Sequence, residues 1–225
     1  MILAQADEPL FEPDWVIRNL DRIGERLVEH AWLTLLAVGI GLAISVPVGI
    51  YAYRHRRIYG PVTSFAGFLY TIPSLALFVI LIPYTGLTTL TAEIGLVSYT
   101  LLILIRNVVA GLDGVPEDTK EAARGMGYTD RQLLLRIELP LAFPVILAGI
   151  RVATVTIIGL VTVTSLIGKG GVGYFILQGL RRFFNTPILV GAALSVVLAV
   201  LADVGLLGLQ KALTPWTARV RARAA

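Results

Sequence analysis

The sequence predicts an all-α integral membrane protein with five transmembrane helices. Three observations carry that reading. Of 225 residues, 56% are hydrophobic and 15% are charged, against about 25% charged in an ordinary soluble domain. The charges are unevenly spread: long uncharged runs alternate with short charged ones, and a bilayer crossing needs about 20 mostly apolar residues. The positive charges gather in alternate connections between those runs, as in multi-pass proteins.

The elements follow in chain order. Residues 1–14 are acidic, with no basic start before a short apolar core, so they do not read as a cleavable signal. Trp15, Leu20, Ile23 and Leu27 recur at roughly helical spacing, with Arg18, Arg22, Arg26 and acids on the other face. That pattern predicts an amphipathic helix lying on the outer leaflet. Residues 31–53 form the first uncharged span. Residues 58–92 carry no charge at all, a stretch too long for one helix and too short for two. We read a second span over 62–82 and a turn at Pro83-Tyr84-Thr85-Gly86. Further spans are predicted over 94–112, 141–167 and 188–209.

Five crossings place the termini on opposite sides. Arg54, His55, Arg56 and Arg57 fill the first connection. Lys120, Arg124, Arg131 and Arg136 fill the third, and Lys211, Arg219, Arg221 and Arg223 the tail. All fall on one side, which the positive-inside rule makes cytoplasmic. Acidic residues 7–29 fall opposite. Lys169, Arg181 and Arg182 dissent, lying in a connection on the outer side, but the first helix usually dominates. The expected organisation is an extracytoplasmic segment over 1–30, one transmembrane domain over 31–210 and a basic cytoplasmic tail over 211–225.

Composition also excludes. There is no cysteine, hence no disulfide framework, thiolate metal site or Cys nucleophile. His30 and His55 are the two histidines, and no carboxylate spacing beside them builds a metal site. The net charge of +4 flanks apolar spans, so it anchors the chain at a membrane surface and does not mark a nucleic-acid binder.

The connection between the third and fourth spans carries the most specific signal. Read locally, it is two short helices. Asp118 with Glu121 forms a candidate capping box after Pro116, Gly125 and Gly127 end the first helix, and Thr129 with Gln132 forms a second capping box. Pro140 is expected to close the second helix before the membrane is re-entered. Such a helical pair is too small to fold alone and needs a partner surface. Glu121-Ala122-Ala123, then Gly127, then Ile137, Leu139 and Pro140 match in type and spacing the EAA loop of binding-protein-dependent ABC importer permeases. The resemblance implies the type I permease fold. It also implies that these seven residues form a coupling helix seated on an ATPase subunit.

The chain further resembles the subfamily that imports glycine betaine, choline, carnitine and related osmoprotectants. The carrying residues are Glu29-His30, Leu33-Thr34, Pro47-Val48-Gly49, Thr71-Ile72-Pro73-Ser74-Leu75-Ala76, Arg106-Asn107, Ala110-Gly111-Leu112 and Ile167-Gly168-Lys169-Gly170-Gly171-Val172-Gly173. Lys169 and Val172 depart from the small residue and the Leu usual there. The resemblance implies no catalysis in this chain, with ATP and Mg bound by a partner ATPase. The implied partners are two ABC ATPase subunits, a second permease copy or paralogue, and an extracytoplasmic substrate-binding protein.

Gly168, Gly170, Gly173 and their neighbours satisfy GxGxxG, yet no strand precedes them and no acid follows about 20 residues on. Gly170 also stands where a Walker A motif needs Ser or Thr. The glycines, Gly171 included, predict a sharply turned segment leading to a helix over 174–182, and the resemblance places it near the translocation path. Arg106, Arg151 and Asp203 lie at membrane depth, where unpaired charges are costly. Snorkelling for Arg106 and pairing of Arg151 with Asp203 is the bland account, and lining the path, with Pro73, Ser74 and Asn107, is the functional one. Pro47, Pro73 and Pro144 are expected to interrupt their helices. A membrane-embedded enzyme would need convergent nucleophile, acid or metal groups inside the spans, where the sequence offers scattered Arg106, Arg151 and Asp203, and a lone secondary transporter would need more spans or an internal repeat. An importer for an amino acid or a thiol-betaine compound is the alternative within transport.

Overall fold

The first span is a 35-residue helix, and it runs further than its uncharged stretch requires. In a computed structural model, which describes residues 10–215, α1 covers Pro13–Arg18 and α2 covers Leu20–Arg54. At 1.5 Å per residue α2 is about 52 Å long, against a hydrocarbon core of about 30 Å. The segment expected to lie flat on the leaflet is therefore broken only at Asn19 and runs straight on into the span, so residue 30 falls inside a continuous helix. Part of its apolar stripe and one arginine of its polar face find protein, while Leu20 is 58% exposed. The Trp15 ring meets Phe175 and Phe184 edge-on at 5.8 and 6.2 Å, and Arg26 stacks over Tyr174 at 4.4 Å.

The second span is bent. Helices α3 (Arg56–Thr71) and α4 (Ser74–Thr85) meet at 93°, so the single helix expected over 62–82 does not form. Pro73 removes an amide donor and pushes Ile72 into extended backbone (ψ 127°). The freed Ile72 carbonyl accepts the Tyr99 hydroxyl, which satisfies it inside the membrane. Helix α4 continues through Pro83, and the turn comes at Gly86 (φ +69°). Pro47 and Pro144, by contrast, sit within unbroken helices. Both are flanked by buried residues on their own helix, Ser45 and Gly49 or Ala142 and Ile146, whereas at Pro73 the Tyr99 hydroxyl takes up the carbonyl that the break frees.

Helix α5 spans Thr89–Asp113, α6 Glu117–Gly125 and α7 Asp130–Leu133. A π-helical turn (Leu134–Glu138) then leads into α8 (Leu139–Val163), a 3-10 turn (Thr164–Ile167), α9 (Gly173–Arg182) and α10 (Asn185–Leu213). Four helical segments are long and apolar enough to cross a membrane, and the bent α3–α4 pair makes a fifth span.

Packing fixes the direction of each crossing. A Cβ on Gly41 would lie 2.0 Å from Thr100 Oγ1, and one on Gly49 would lie 2.7 Å from Val108. Contacts that advance together along both helices make α2 and α5 parallel, so α3–α4 must carry the chain back across. Gly111 meets Ala142 and Gly149 meets Asn107, which makes α5 and α8 antiparallel. Arg151 with Asp203 and Gln210 with Pro144 do the same for α8 and α10. Small residues at these crossings let backbones approach closely, as membrane helices require. The main core joins Leu33 and Ala37, Phe78, Leu96 and Tyr99, and Ile157 and Val161, and a second gathers Val108, Leu112, Val115, Ala142 and Ile146. Arg54, Asp113 and the α6–α7 pair thus share one end of the bundle. Helix α1, the Gly86 turn and the 164–182 segment share the other.

Candidate functional site

The α6–α7 pair is built by local rules. Helix α6 begins at Glu117 behind Pro116 with no side-chain cap, so the capping box expected between Asp118 and Glu121 does not form. Asp118 lies within the first turn, too late to cap it. Glu117 instead binds Lys120 at 3.1 Å and Arg124 at 3.2 Å. The helix ends in a Schellman motif: Tyr128 N–H donates to Ala123 O and Gly127 N–H to Arg124 O, with Gly127 left-handed at φ +83°. Thr129 and Gln132 form the expected reciprocal capping box on α7.

Pro140 does not end a helix. The chain is continuous over Asp130–Ile167, because the π turn passes the Leu139 N–H to Leu134 O and Pro140 falls in the first turn of α8, where its missing donor is not needed. The seven motif residues consequently divide. Glu121, Ala122, Gly127 and Pro140 are exposed, Ala123 is buried beneath the knuckle, and Ile137 and Leu139 are half-buried. Met126 projects at 68% exposure.

Beneath the knuckle lies a polar cleft of about 380 Å³, walled by Tyr53, Arg56, Lys120, Leu133 and Glu138 among others. The Tyr53 hydroxyl donates to Glu138 Oε1 at 2.9 Å. Lys120 and Glu138 are 7% and 3% exposed. Burial works against the Lys120 charge, but hydrogen bonding to Tyr53 and Glu117 outweighs it and leaves the ammonium above its ordinary pKa. The exposed Glu117 carboxyl is held below its usual range by hydrogen bonds from Lys120 and Arg124. Arg56 stacks over the Tyr53 ring at 5.1 Å and pairs with Asp113 at the end of α5. Sequence reasoning passed over Tyr53 and Glu138. The available signal was one acid alone between Ile137 and Leu139, in a run bound for the membrane.

The other predicted residues are not gathered into one site. Arg151 and Asp203 form a two-point pair, Nε–Oδ1 and Nη2–Oδ2 both 2.9 Å, tying α8 to α10. Arg106 is exposed on α5, and Asn107 donates back to Ile103 O at 2.8 Å while packing on Gly149. Pro73 and Ser74 form the α3–α4 break. At the opposite end Gly168 (φ +79°) and Gly171 (φ +49°) turn the chain. A Cβ on Gly170, Gly171 or Gly173 would lie 2.4 Å from Ser165, His30 or Thr162, so close packing explains these three. His30 is fully buried with Nε2 3.0 Å from Ile158 O. Glu93 was also missed: it is 5% exposed and neither carboxylate oxygen has a hydrogen-bond partner.

Comparison with known proteins agrees with this architecture. Residues 39–218 match the model for the binding-protein-dependent transport system inner membrane component. The chain is 37% identical to the osmoprotectant import permease protein OsmW of Salmonella typhimurium, over 89% of this chain and 96% of that protein. It is 40% identical to the carnitine transport permease protein OpuCB of Listeria monocytogenes, over 83% and 86%. A chain of the MetNI methionine ABC transporter superposes with a TM-score of 0.75 at 26% identity, covering 84% of this chain and 94% of that one. A helical bundle of five spans, an EAA loop between the third and fourth, and a family match over most of the length lead to one conclusion: this chain belongs to the binding-protein-dependent transport system inner membrane components, with the type I ABC importer permease fold.

Proposed function

We propose that the chain is the permease through which an ATP-driven importer brings osmoprotectants into the cell: glycine betaine, choline, carnitine or similar quaternary ammonium compounds. The observation that carries the coupling half of this reading is the α6–α7 knuckle. Its inner side meets α2, with Arg54 donating to Asp130 O and Lys120 over the Tyr53 ring, while Glu121, Ala122 and Met126 face outward with no cover. A separate ABC ATPase, holding ATP and Mg, docks there, and this chain does no covalent chemistry. The cargo follows from the relatives, named for osmoprotectants and carnitine. Likeness to a methionine transporter favours an amino acid as the second reading.

The remaining assignments rest on charge. Arg54, Arg56, Arg57, Arg124, Arg131 and Lys211 belong to the knuckle end, which makes that end cytoplasmic and residues 1–30 extracytoplasmic. Residues 31–210 form the transmembrane domain, 211–225 a basic cytoplasmic tail. A second permease copy or paralogue completes the path, and an extracytoplasmic binding protein delivers the solute. The spans offer few aromatic faces for a cation cage, so that protein sets specificity.

The test uses Gly127. Its left-handed backbone has open space around it, so substitution acts through conformation alone. Gly127→Val should abolish choline uptake in cells while membrane insertion persists, and Gly127→Asn, which tolerates this backbone, should keep a substantial part of it. Wild-type uptake by Gly127→Val would remove the coupling assignment.

A further inference from the structure

We infer that Tyr53 is a positioning residue for coupling, the point at which movement of the α6–α7 knuckle is handed to the first span. The inference rests on reading the knuckle as the ATPase dock. By covalent connection the knuckle drives α5, through Val115 and Pro116, and α8, through the π turn. Nothing covalent drives α2, although α2 packs along α5 for much of its length. Tyr53, one residue from the end of α2, closes that gap. Its hydroxyl donates to Glu138 in the π turn, and its ring lies 5.7 Å from Lys120 Nζ on α6. On α3 Arg56 stacks on the same ring. One side chain therefore touches α3, α6 and the π turn while belonging to α2.

Burial decides that this contact outweighs the alternative. The neighbouring link, Arg54 to Asp130 O at 3.0 Å, is exposed, and exposed contacts of long side chains contribute little. Glu138 is 3% exposed, and its second oxygen has no hydrogen-bond partner. The Tyr53 hydroxyl is thus a main source of satisfaction for a buried acid, and losing it is disproportionately costly. When the knuckle shifts, Glu138 and Lys120 shift with it, and keeping both contacts requires the end of α2 to follow.

The test is made on the whole importer, purified with its ATPase and binding protein and reconstituted in liposomes. The probe is radiolabelled choline, and the readout is solute moved per ATP hydrolysed. Tyr53→Phe keeps the ring and removes the hydroxyl. It should lower that ratio severalfold, with ATP hydrolysis retained. Glu138→Gln keeps an acceptor and should lose less. Combining the two should cost no more than Tyr53→Phe alone, since both act on one contact. If Tyr53→Phe does not assemble, Glu138→Leu is read on the same ratio with the same expectation. An unchanged ratio in Tyr53→Phe beside lost uptake in Gly127→Val overturns the role of Tyr53 and leaves the dock standing. A parallel fall in uptake and hydrolysis marks a merely structural residue and overturns it too. Wild-type uptake in both variants removes the dock and the inference together.

Discussion

Arg151 and Asp203 show how charge is carried at membrane depth. Each would be costly alone in that setting, and the two-point geometry between Nε, Nη2 and both carboxylate oxygens lets each neutralise the other. The Arg151 guanidinium is one of few polar ties holding α10, whose apolar face, Val196, Val197, Val200 and Val204, is otherwise exposed. Arg151→Met and Asp203→Leu should therefore each lower the thermal midpoint of the detergent-purified protein. The double substitution should lie above at least one of them, because it leaves no orphaned charge. Strictly additive losses would mean that the pair does not hold α10 to α8. This pair was legible in the sequence because opposite charges in uncharged spans have few partners to choose from. Glu93 was not, because it falls one residue before the predicted third span and reads as an interfacial acid until its burial is seen.

Among the elements, length and charge decided the spans, and the positions of the proline breaks escaped both. Pro47, Pro73 and Pro144 carry the same local signal: a missing donor and a steric push on the preceding residue. Only Pro73 breaks its helix, and the difference lies in tertiary packing that no local pattern records. The same limit hid the π turn, which lets Pro140 enter a continuous helix. The Thr129–Gln132 box was readable because every partner lies within four residues; the Asp118–Glu121 box failed because its helix begins one residue before the supposed cap. The α3–α4 bend predicts a distance. Phe65 and Ile80 are both exposed and fifteen residues apart, which is about 22 Å of rise along a straight helix. Spin labels at these positions should lie clearly nearer to each other than that. A mean distance at or above the straight-helix value would contradict the bend.

At the scale of the whole molecule, the parallel course of α2 and α5 adds geometry to the span count read from hydropathy. It shows that the bent pair between them returns the chain across the bundle, and it sets the α6–α7 knuckle at one end and the glycine-rich turn at the other. That polarity is what an importer requires: energy received at one end, solute received at the other, and a bundle packed through small residues between. The function proposed for this chain is to turn ATP hydrolysis on one side into solute entry from the other. Its most direct measurement is uptake of radiolabelled glycine betaine, choline and carnitine by liposomes holding the permease and its ATPase. ATP is enclosed within the liposomes on the knuckle side, and the binding protein is added outside. At least one of these solutes should accumulate, and accumulation should fall to background when either ATP or the binding protein is omitted. Accumulation that persists without ATP, or uptake of an amino acid with none of the three quaternary ammonium compounds, would contradict it.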